Sequence, residues 1–298
     1  MSISNTVILF GTGRSGSTVF MEAFFRHPDI AYFSNYLEKK PDLLQLNYFR
    51  YVFDNDIYRV FGKKKQLNNR STIERLIFKP SEAYPVWSYL CNNEVDFSRD
   101  FLYQTKPSDL LKQSICTYSK QVVNIQNKNR LAIKITGPGR IYFLNQIFPQ
   151  AKNIWLKRKF LPTLKSFLEV SFWQNRKSDT PWWGGVYNDQ EKEVLTKYAG
   201  DPIIFTALQI KKIIDLIEAE IRDNDFEVFS INYEDLVMKP TKTLQDALDF
   251  AGLEKDSSCF DYLNSNKLVN RNKEIENYFT NNKIDELNNL LGIDVTQI

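Results

Sequence analysis

The sequence predicts an α/β fold with three layers, in which a mostly parallel central sheet is flanked by helices. Short apolar runs of strand length alternate with longer amphipathic patterns of helix length, which is typical of parallel sheets. The first apolar run passes through a glycine-rich turn directly into a helical pattern. With 298 residues, 43% of them hydrophobic, the chain can bury one sizeable core, so we expect a single domain over residues 1–298.

The individual elements follow from apolar runs and their spacing. We predict strands at 7–10, 30–33, 131–135, 153–156 and 227–231. We predict helices at 16–26, 141–148, 162–173 and 203–222, with further helices within 242–291. Pro162 suits the first turn of its helix. Residues 36–127 combine short amphipathic patterns with aromatic-rich loops, and we interpret them as a helical and loop insertion.

The most informative stretch is GTGRSGST at residues 11–18, between the first strand and the first helix. Such a turn points backbone N–H groups and the positive end of a helix dipole at an anion, most often a phosphate. Arg14 adds a cation inside the turn, and three hydroxyl side chains follow it. These residues predict a P-loop-like phosphate site.

Two well-known nucleotide patterns fit this turn only in part. The G-x-x-x-x-G-K-[ST] loop of ATP-binding enzymes needs a lysine where Ser17 stands, which weakens a kinase or ATPase interpretation. The dinucleotide pattern G-x-G-x-x-G needs an acid about 20 residues later to hold a ribose hydroxyl, but Ser34 and Asn35 follow the next strand. A P-loop kinase and a nicotinamide-dependent enzyme stay open as alternatives.

A second group of polar residues follows two later strands. Arg158 ends the predicted strand at 153–156 and can form a forked contact with a phosphate, and Ser166 lies about one turn inside the next helix. Lys134 stands in an otherwise apolar strand, where a buried ammonium needs an anionic partner. Parallel strands present their carboxyl ends at one edge of the sheet, so Lys134 should lie beside the glycine-rich turn.

With these motifs the chain resembles the sulfotransferases that use 3′-phosphoadenosine-5′-phosphosulfate (PAPS). RSGST at 14–18 resembles their 5′-phosphosulfate loop, and FPQAK at 148–152, followed by Arg158 and Ser166, resembles their 3′-phosphate motif. YEDL at 233–236 and FAGL at 250–253 are similar to a mainly structural motif of the same family. The motif order is closest to the tyrosylprotein and bacterial-type enzymes. Lys159 and Phe160 depart from the acid and the proline that the family usually has there.

The resemblance implies PAPS as co-substrate, no metal ion, and transfer of a sulfuryl group to a hydroxyl or amine. It implies catalytic roles for Arg14 and Lys134. It also implies that the loop binds the 5′-phosphate of the donor through Gly13, Arg14, Ser15, Gly16, Ser17 and Thr18. The 3′-phosphate would be bound by Arg158, Ser166 and Arg271. The acceptor is a small molecule, a carbohydrate or a peptide, and residues 36–127 would shape its site.

The general base has no clear candidate in the sequence. Tyrosylprotein sulfotransferases have a glutamate 21 residues after the loop arginine, where this chain has Asn35. The one histidine, His27, ends the first predicted helix, roughly 15 Å from the transfer point at 1.5 Å per residue, so we expect a structural role. Four carboxylates stay open as candidates: Glu38, Asp42, Glu82 and Asp109. A non-catalytic protein that binds the desulfated donor therefore stays open as well.

Composition excludes several other classes. A net charge of +3 is far from the basic surface of a nucleic-acid-binding protein. Three widely spaced cysteines without a C-x-x-C pattern argue against a disulfide framework and against zinc. No apolar run approaches the roughly 20 residues of a membrane span, and the first strand begins too early for a leader peptide. We therefore expect a cytoplasmic protein; its oligomeric state is open.

Overall fold

The computed structural model describes residues 5–54, 77–91, 94–174, 180–265, 268–275 and 278–297. Within these residues, five parallel strands form one sheet in the order β2-β3-β1-β4-β5. The strands are β1 Val7–Gly11, β2 Ile30–Tyr32, β3 Arg130–Thr136, β4 Lys152–Lys157 and β5 Val228–Asn232. Each predicted strand is present within two residues of its expected bounds, so the predicted α/β fold is confirmed.

The central strand β1 explains why helices cover both faces of the sheet. All five of its residues are buried, and successive side chains point to opposite faces. Val7 and Leu9 belong to one hydrophobic cluster, and Ile8 and Phe10 belong to the other. Each face of the sheet therefore carries its own apolar layer, which the helices cover.

The described α-helices, in chain order, are α1 Ser17–Phe24, α2 Asn35–Lys39, α3 Arg50–Phe53, α4 Tyr84–Cys91, α5 Asp109–Ile125, α6 Ile141–Ile147, α7 Phe160–Leu168, α8 Ser171–Gln174, α9 Asp189–Lys197, α10 Pro202–Asn224, α11 Tyr233–Met238, α12 Pro240–Ala251, α13 Ser257–Ser265 and α14 Asn281–Leu291. Helices α1, α12 and α13 pack on the face of Val7 and Leu9, and α5, α6, α7 and α10 pack on the other. Each of these described helices is too short or too polar to span a membrane.

Several helix boundaries differ from the prediction. The helix expected over 162–173 is two helices, α7 and α8, with a break between them. The region 36–127 contains the 17-residue helix α5, although its pattern suggested only short helices. Its buried face carries Tyr118 and Ser119 beside the aliphatic residues, which weakens the apolar signal. Residues 55–76 and 92–93 of the predicted insertion lie outside the described residues, and the single-domain assignment stays a prediction.

Helix α6 begins beside a buried carboxylate, and this arrangement predicts a pH dependence of stability. Glu220 is 2% exposed, and its Oε2 accepts a hydrogen bond from the backbone N–H of Ile141 at 2.9 Å. Burial raises the pKa of Glu220 to about 7, whereas an exposed glutamate titrates near 4.3. The stability that Glu220 contributes is therefore fully present below about pH 4 and is lost as the pH rises through about 7.

We expect the free energy of unfolding to fall between pH 5 and pH 8, by about 3 kcal/mol at most from this group. Glu220→Gln should remove that part of the fall, because the amide does not titrate. Chemical unfolding at a series of pH values measures both. Glu193→Gln, at an exposed position of α9, is the control and should keep the wild-type slope. An unchanged slope in Glu220→Gln would contradict the prediction.

Candidate active site

The loop between β1 and α1 adopts positive φ values at three positions: Gly13 (86°), Arg14 (58°) and Gly16 (76°). Arg14 is not a glycine, so its backbone conformation costs free energy, and contacts with neighbouring groups must offset that cost. The carbonyl oxygen of Arg14 accepts a hydrogen bond from Arg158 Nη1 at 2.8 Å. Arg158 therefore fixes the backbone of the loop as well as placing a charge beside it.

The N-terminus of α1 is arranged to receive an anion. Gly16 is its N-cap, and no side chain caps the first turn. The first N–H groups of a helix have no partner within the helix and carry the positive end of its dipole. Ser17 and Thr18 add hydroxyl groups at this end, and Thr18 is exposed. Ser15 is buried, and its hydroxyl has no hydrogen-bond partner in the described part of the chain.

Three arginines lie at or next to this loop: Arg14, Arg158 and Arg271. Arg14 Nε donates to Ser166 Oγ at 3.0 Å, which joins the loop to α7. The Arg158 guanidinium lies over the ring of Tyr233, 4.5 Å from its centre, and its Nε donates to Asn272 Oδ1 at 2.9 Å. The two residue groups that the sequence assigned to opposite ends of the donor are therefore in direct contact.

These side chains surround one cavity of about 220 Å³. All nine predicted donor-binding residues lie in the described part of the chain, and seven of them line the cavity: Arg14, Gly16, Ser17, Thr18, Arg158, Ser166 and Arg271. Gly13 and Ser15 do not line it; they lie in the same loop, where Gly13 allows the turn and Ser15 is buried. The structure thus brings the predicted donor-binding residues together at one place in the fold. Their roles in binding stay predictions.

The charge of this cluster is unbalanced toward the positive. Burial lowers the pKa of Arg14, the positive charge of Arg271 lowers it further, and the carboxylate of Glu169 opposes this shift. Burial also lowers the pKa of Arg158, while Tyr233 and Glu234 raise it. Glu234 reaches the cluster through Asn272, whose amide donates to its carboxylate. Arg14 and Arg158 are half-buried and Arg271 is exposed. Guanidinium groups that repel one another in this way are stabilised by a bound anion.

Lys134 occupies the other side of the loop. Its side chain is 2% exposed, and Nζ donates to Thr18 Oγ1 at 3.1 Å and to Glu82 Oε1 at 2.8 Å. The sequence predicted an anionic partner for this lysine, and Glu82 is one. Glu82 also accepts a hydrogen bond from Thr136 Oγ1 at 2.5 Å, at the carboxyl end of β3.

Among the four candidate carboxylates, the contact with Lys134 distinguishes Glu82. Glu38 and Asp42 are exposed, and the carboxylate of Glu38 accepts a hydrogen bond from Ser81. Asp109 is exposed at the first residue of α5 and pairs with Lys112 across one turn. Tertiary structure therefore selects a residue that no sequence pattern singled out.

Two polar residues that the sequence analysis discussed serve packing. His27 is buried; its Nε2 lies 2.9 Å from the carbonyl oxygen of Glu254, and its Nδ1 accepts from the backbone N–H of Asp29. Asn35 Nδ2 donates to the carbonyl oxygen of Ile77 at 3.1 Å, and Asn35 Oδ1 accepts from the N–H of Lys79 at 3.0 Å. Asn35 therefore joins the start of α2 to the segment that carries Glu82.

Sequence reasoning missed Tyr233 and Asn272 as parts of the site. Tyr233 begins the YEDL motif that was assigned a structural role, and its hydroxyl donates to the carbonyl oxygen of Val269 at 2.9 Å. Asn272 lies next to Arg271 in the basic segment VNRNK. Both positions were inside recognised motifs, so spacing could have found them, but only the fold shows that each contacts Arg158.

The close contact between Gly16 and Tyr233 predicts a strong effect of one methyl group. A Cβ at Gly16 would lie 2.7 Å from Tyr233 Cδ2, at a φ of 76° that L-residues rarely adopt. We expect Gly16→Ala to lower the free energy of unfolding by about 1–3 kcal/mol, measured by chemical unfolding. Gly200→Ala is the control, because a Cβ there meets nothing within 4 Å. Equal stabilities of the two variants would show that the contact is absent.

Comparison with known proteins shows the family to which the chain belongs. The model of the sulfotransferase family matches residues 6–257, a range that includes the loop, Lys134, Arg158 and Ser166. No curated protein sequence matches the chain.

Solved structures with this fold include the sulfotransferase STF9 from Mycobacterium avium, with a TM-score of 0.57 and 14% identity over 98% of this chain and 76% of that chain. The sulfotransferase domain of the Synechococcus PCC 7002 olefin synthase has a TM-score of 0.43 and 16% identity, covering 100% of this chain and 90% of that chain. The sulfotransferase domain of the curacin biosynthetic pathway has a TM-score of 0.46 and 13% identity, covering 98% and 99%. Because the family model covers most of the sequence, this chain belongs to the sulfotransferase family.

Proposed function

We propose that this chain transfers a sulfuryl group from PAPS to a hydroxyl or amine of a small-molecule, carbohydrate or peptide acceptor. The observation that carries the donor assignment is the contact between its two anion-binding groups. Arg14 Nε bonds Ser166, and Arg158 bonds the carbonyl oxygen of Arg14. A donor with phosphate groups on both the 3′ and 5′ positions presents two anions at a short, fixed separation, which this arrangement suits.

The residues divide the work between the two ends of the donor. The N-terminus of α1, with Ser17 and Thr18, would hold the 5′-phosphate through N–H and hydroxyl donors. Arg158, Ser166 and Arg271 would hold the 3′-phosphate, where a planar guanidinium binds two oxygens at once. Arg14 lies between them and would stabilise negative charge from either side.

The transfer itself needs cations where charge develops. By analogy with phosphoryl transfer, we expect a loose transition state in which negative charge grows on the departing phosphate oxygen. Lys134 would stabilise that oxygen with its ammonium; the hydrogen bond from its Nζ to Thr18 Oγ1, at the start of α1, supports this role. The proposal requires no metal ion. The described residues contain no group of three or more His, Cys, Asp and Glu side chains placed to hold one.

Calorimetry with the desulfated donor, 3′-phosphoadenosine-5′-phosphate (PAP), tests the donor assignment. We expect PAP to bind at least 100-fold more tightly than adenosine 5′-phosphate, because the missing 3′-phosphate leaves Arg158 and Arg271 without an anion. Parallel titrations with Mg-ATP and NAD test the kinase and nicotinamide alternatives. Tight binding of Mg-ATP or NAD together with weak binding of PAP would overturn the proposal.

A transfer assay with sulfur-35-labelled PAPS then addresses the acceptor. Carbohydrate, lipid, phenol and peptide acceptors are tested in parallel, with the label followed into the product. Binding of PAP without transfer to any acceptor or to water would favour the non-catalytic alternative. A reducing cytoplasm stays our expectation for the location of the enzyme. The expectation rests on the sequence, in which three widely spaced cysteines form no disulfide framework.

A further inference from the structure

The segment that carries Glu82 is attached to β2 and the start of α2 by backbone pairing. Ser81 N–H donates to the carbonyl oxygen of Phe33 at 2.9 Å, and Asn35 N–H donates to that of Lys79 at 3.0 Å. An antiparallel bridge between Ser34 and Pro80 lies between these two bonds. Residues 79–81 thus run alongside the chain directly after β2, and Glu82 follows at the end of this pairing.

The side chain of Asn35 completes this attachment, and it does so as an amide. Its Nδ2 donates to the carbonyl oxygen of Ile77, and its Oδ1 accepts from the N–H of Lys79. An ionised glutamate has two acceptors and no donor, so it could not form both bonds. Asn35, which stands where tyrosylprotein sulfotransferases have a glutamate, therefore serves to hold the segment that ends in Glu82.

The chain on the other side of Glu82 is also fixed. Ala83 has a φ of 50°, and its N–H donates to Ser81 Oγ at 3.2 Å. A non-glycine residue with this φ persists only where its surroundings hold it, and such residues cluster at functional sites. Tyr84 follows at the start of α4, and its hydroxyl donates to the carbonyl oxygen of Thr136. Glu82 is thereby held at the carboxyl end of β3.

We propose that Glu82 is the general base of sulfuryl transfer and that Asn35 is the residue that positions it. The proposal rests on the function proposed above. Lys134 joins Glu82 to Thr18 of the phosphate loop through hydrogen bonds of 2.8 and 3.1 Å. The Glu82 side chain is 26% exposed, whereas that of Lys134 is 2% exposed. The carboxylate is therefore accessible to an acceptor at the point where Lys134 meets the loop.

The step balances with the groups already present. The acceptor oxygen forms a bond to sulfur, and the bond between sulfur and the 5′-phosphate oxygen breaks with its electron pair on that oxygen. The acceptor proton passes to a carboxylate oxygen of Glu82, and Lys134 stabilises the charge on the departing phosphate. After PAP and the sulfated product leave, Glu82 returns the proton to water. A base is needed whenever the acceptor carries its proton at the working pH, as a neutral alcohol or phenol does.

Glu82→Gln tests the base, and Asp109→Asn is the matched control because it makes the same chemical change at an exposed position. With sulfur-35-labelled PAPS, Glu82→Gln should transfer 10²- to 10⁴-fold more slowly to alcohols and to water, while its affinity for PAP stays within about threefold of wild type. Across phenols of increasing acidity, the loss should shrink toward unity, because an ionised phenol needs no base. Asp109→Asn should match the wild type throughout.

A constant loss across the phenol series, or no loss at all, would overturn the assignment of Glu82. If the wild-type protein failed to bind PAP, the proposed function would fail instead, so the two failures are distinguishable. Glu82→Asp, which keeps the charge but shortens the side chain, should recover part of the rate and guards against a folding defect in Glu82→Gln.

The positioning role of Asn35 has its own readout. Asn35→Ala should lower kcat and leave the KM for PAPS unchanged. The double variant Asn35→Ala, Glu82→Gln should be no slower than Glu82→Gln alone, because Asn35 acts through the carboxylate. Additive losses in the double variant would show that Asn35 has a separate, general structural role.

Discussion

Arg158→Ala should weaken the binding of PAP at least 100-fold, which corresponds to about 3 kcal/mol. The substitution removes a guanidinium from the cavity. It also removes the hydrogen bond to the carbonyl oxygen of Arg14, a residue whose backbone has a positive φ. The variant would therefore lose both the proposed 3′-phosphate contact and the hydrogen bond that supports the proposed 5′-phosphate loop. Isothermal titration calorimetry with PAP measures the effect.

Two further variants define the cause of that loss. Arg222→Ala removes an exposed arginine that pairs with Asp223, and it should bind PAP like the wild type. Arg158→Lys keeps the charge but cannot form a forked contact, so it should recover only a small part of the affinity. Full affinity in Arg158→Lys would mean that charge alone matters and that the geometry described above is irrelevant to binding.

Lys134→Met should slow sulfuryl transfer by about 10² to 10³, with a much smaller change in the affinity for PAP. The expected effect is on the rate because, in the proposed mechanism, the ammonium would stabilise charge that develops only as the phosphate oxygen departs. Methionine preserves most of the side-chain volume in a position that is 2% exposed. Single-turnover transfer of sulfur-35 from saturating PAPS is the measurement.

The control for Lys134 lies at the opposite edge of the same sheet. Lys152 begins β4, opposite Val7 at the start of β1, and pairs with Glu227 at 2.7 Å. Lys152→Met should leave transfer unchanged. If both variants were equally slow, the loss would come from disturbing the sheet rather than from the missing ammonium, and the catalytic role of Lys134 would have to be abandoned.

Local sequence was a good guide to the sheet because four of the five described strands are short runs of mostly buried residues. The edge strand β5, with Ile231 as its one buried residue, was still marked by its apolar residues. Val7–Gly11 is buried along its whole length, and its apolar run is continuous until the turn. The helix α5 was harder to predict because its buried face mixes aliphatic residues with Tyr118 and Ser119. The break between α7 and α8 likewise has no proline or glycine to mark it.

The sequence by itself determined which residues could bind an anion: the turn at 11–18, Arg158 with Ser166, and Lys134. These signals are local, because a glycine-rich turn before a helix presents backbone N–H groups and the positive end of the helix dipole within a few residues. Only the tertiary structure decided that Glu82, 52 residues away in the chain, is the partner of Lys134. That contact depends on how Asn35 and the end of β3 hold a segment without regular periodicity, and such long-range placement leaves no pattern in one sequence.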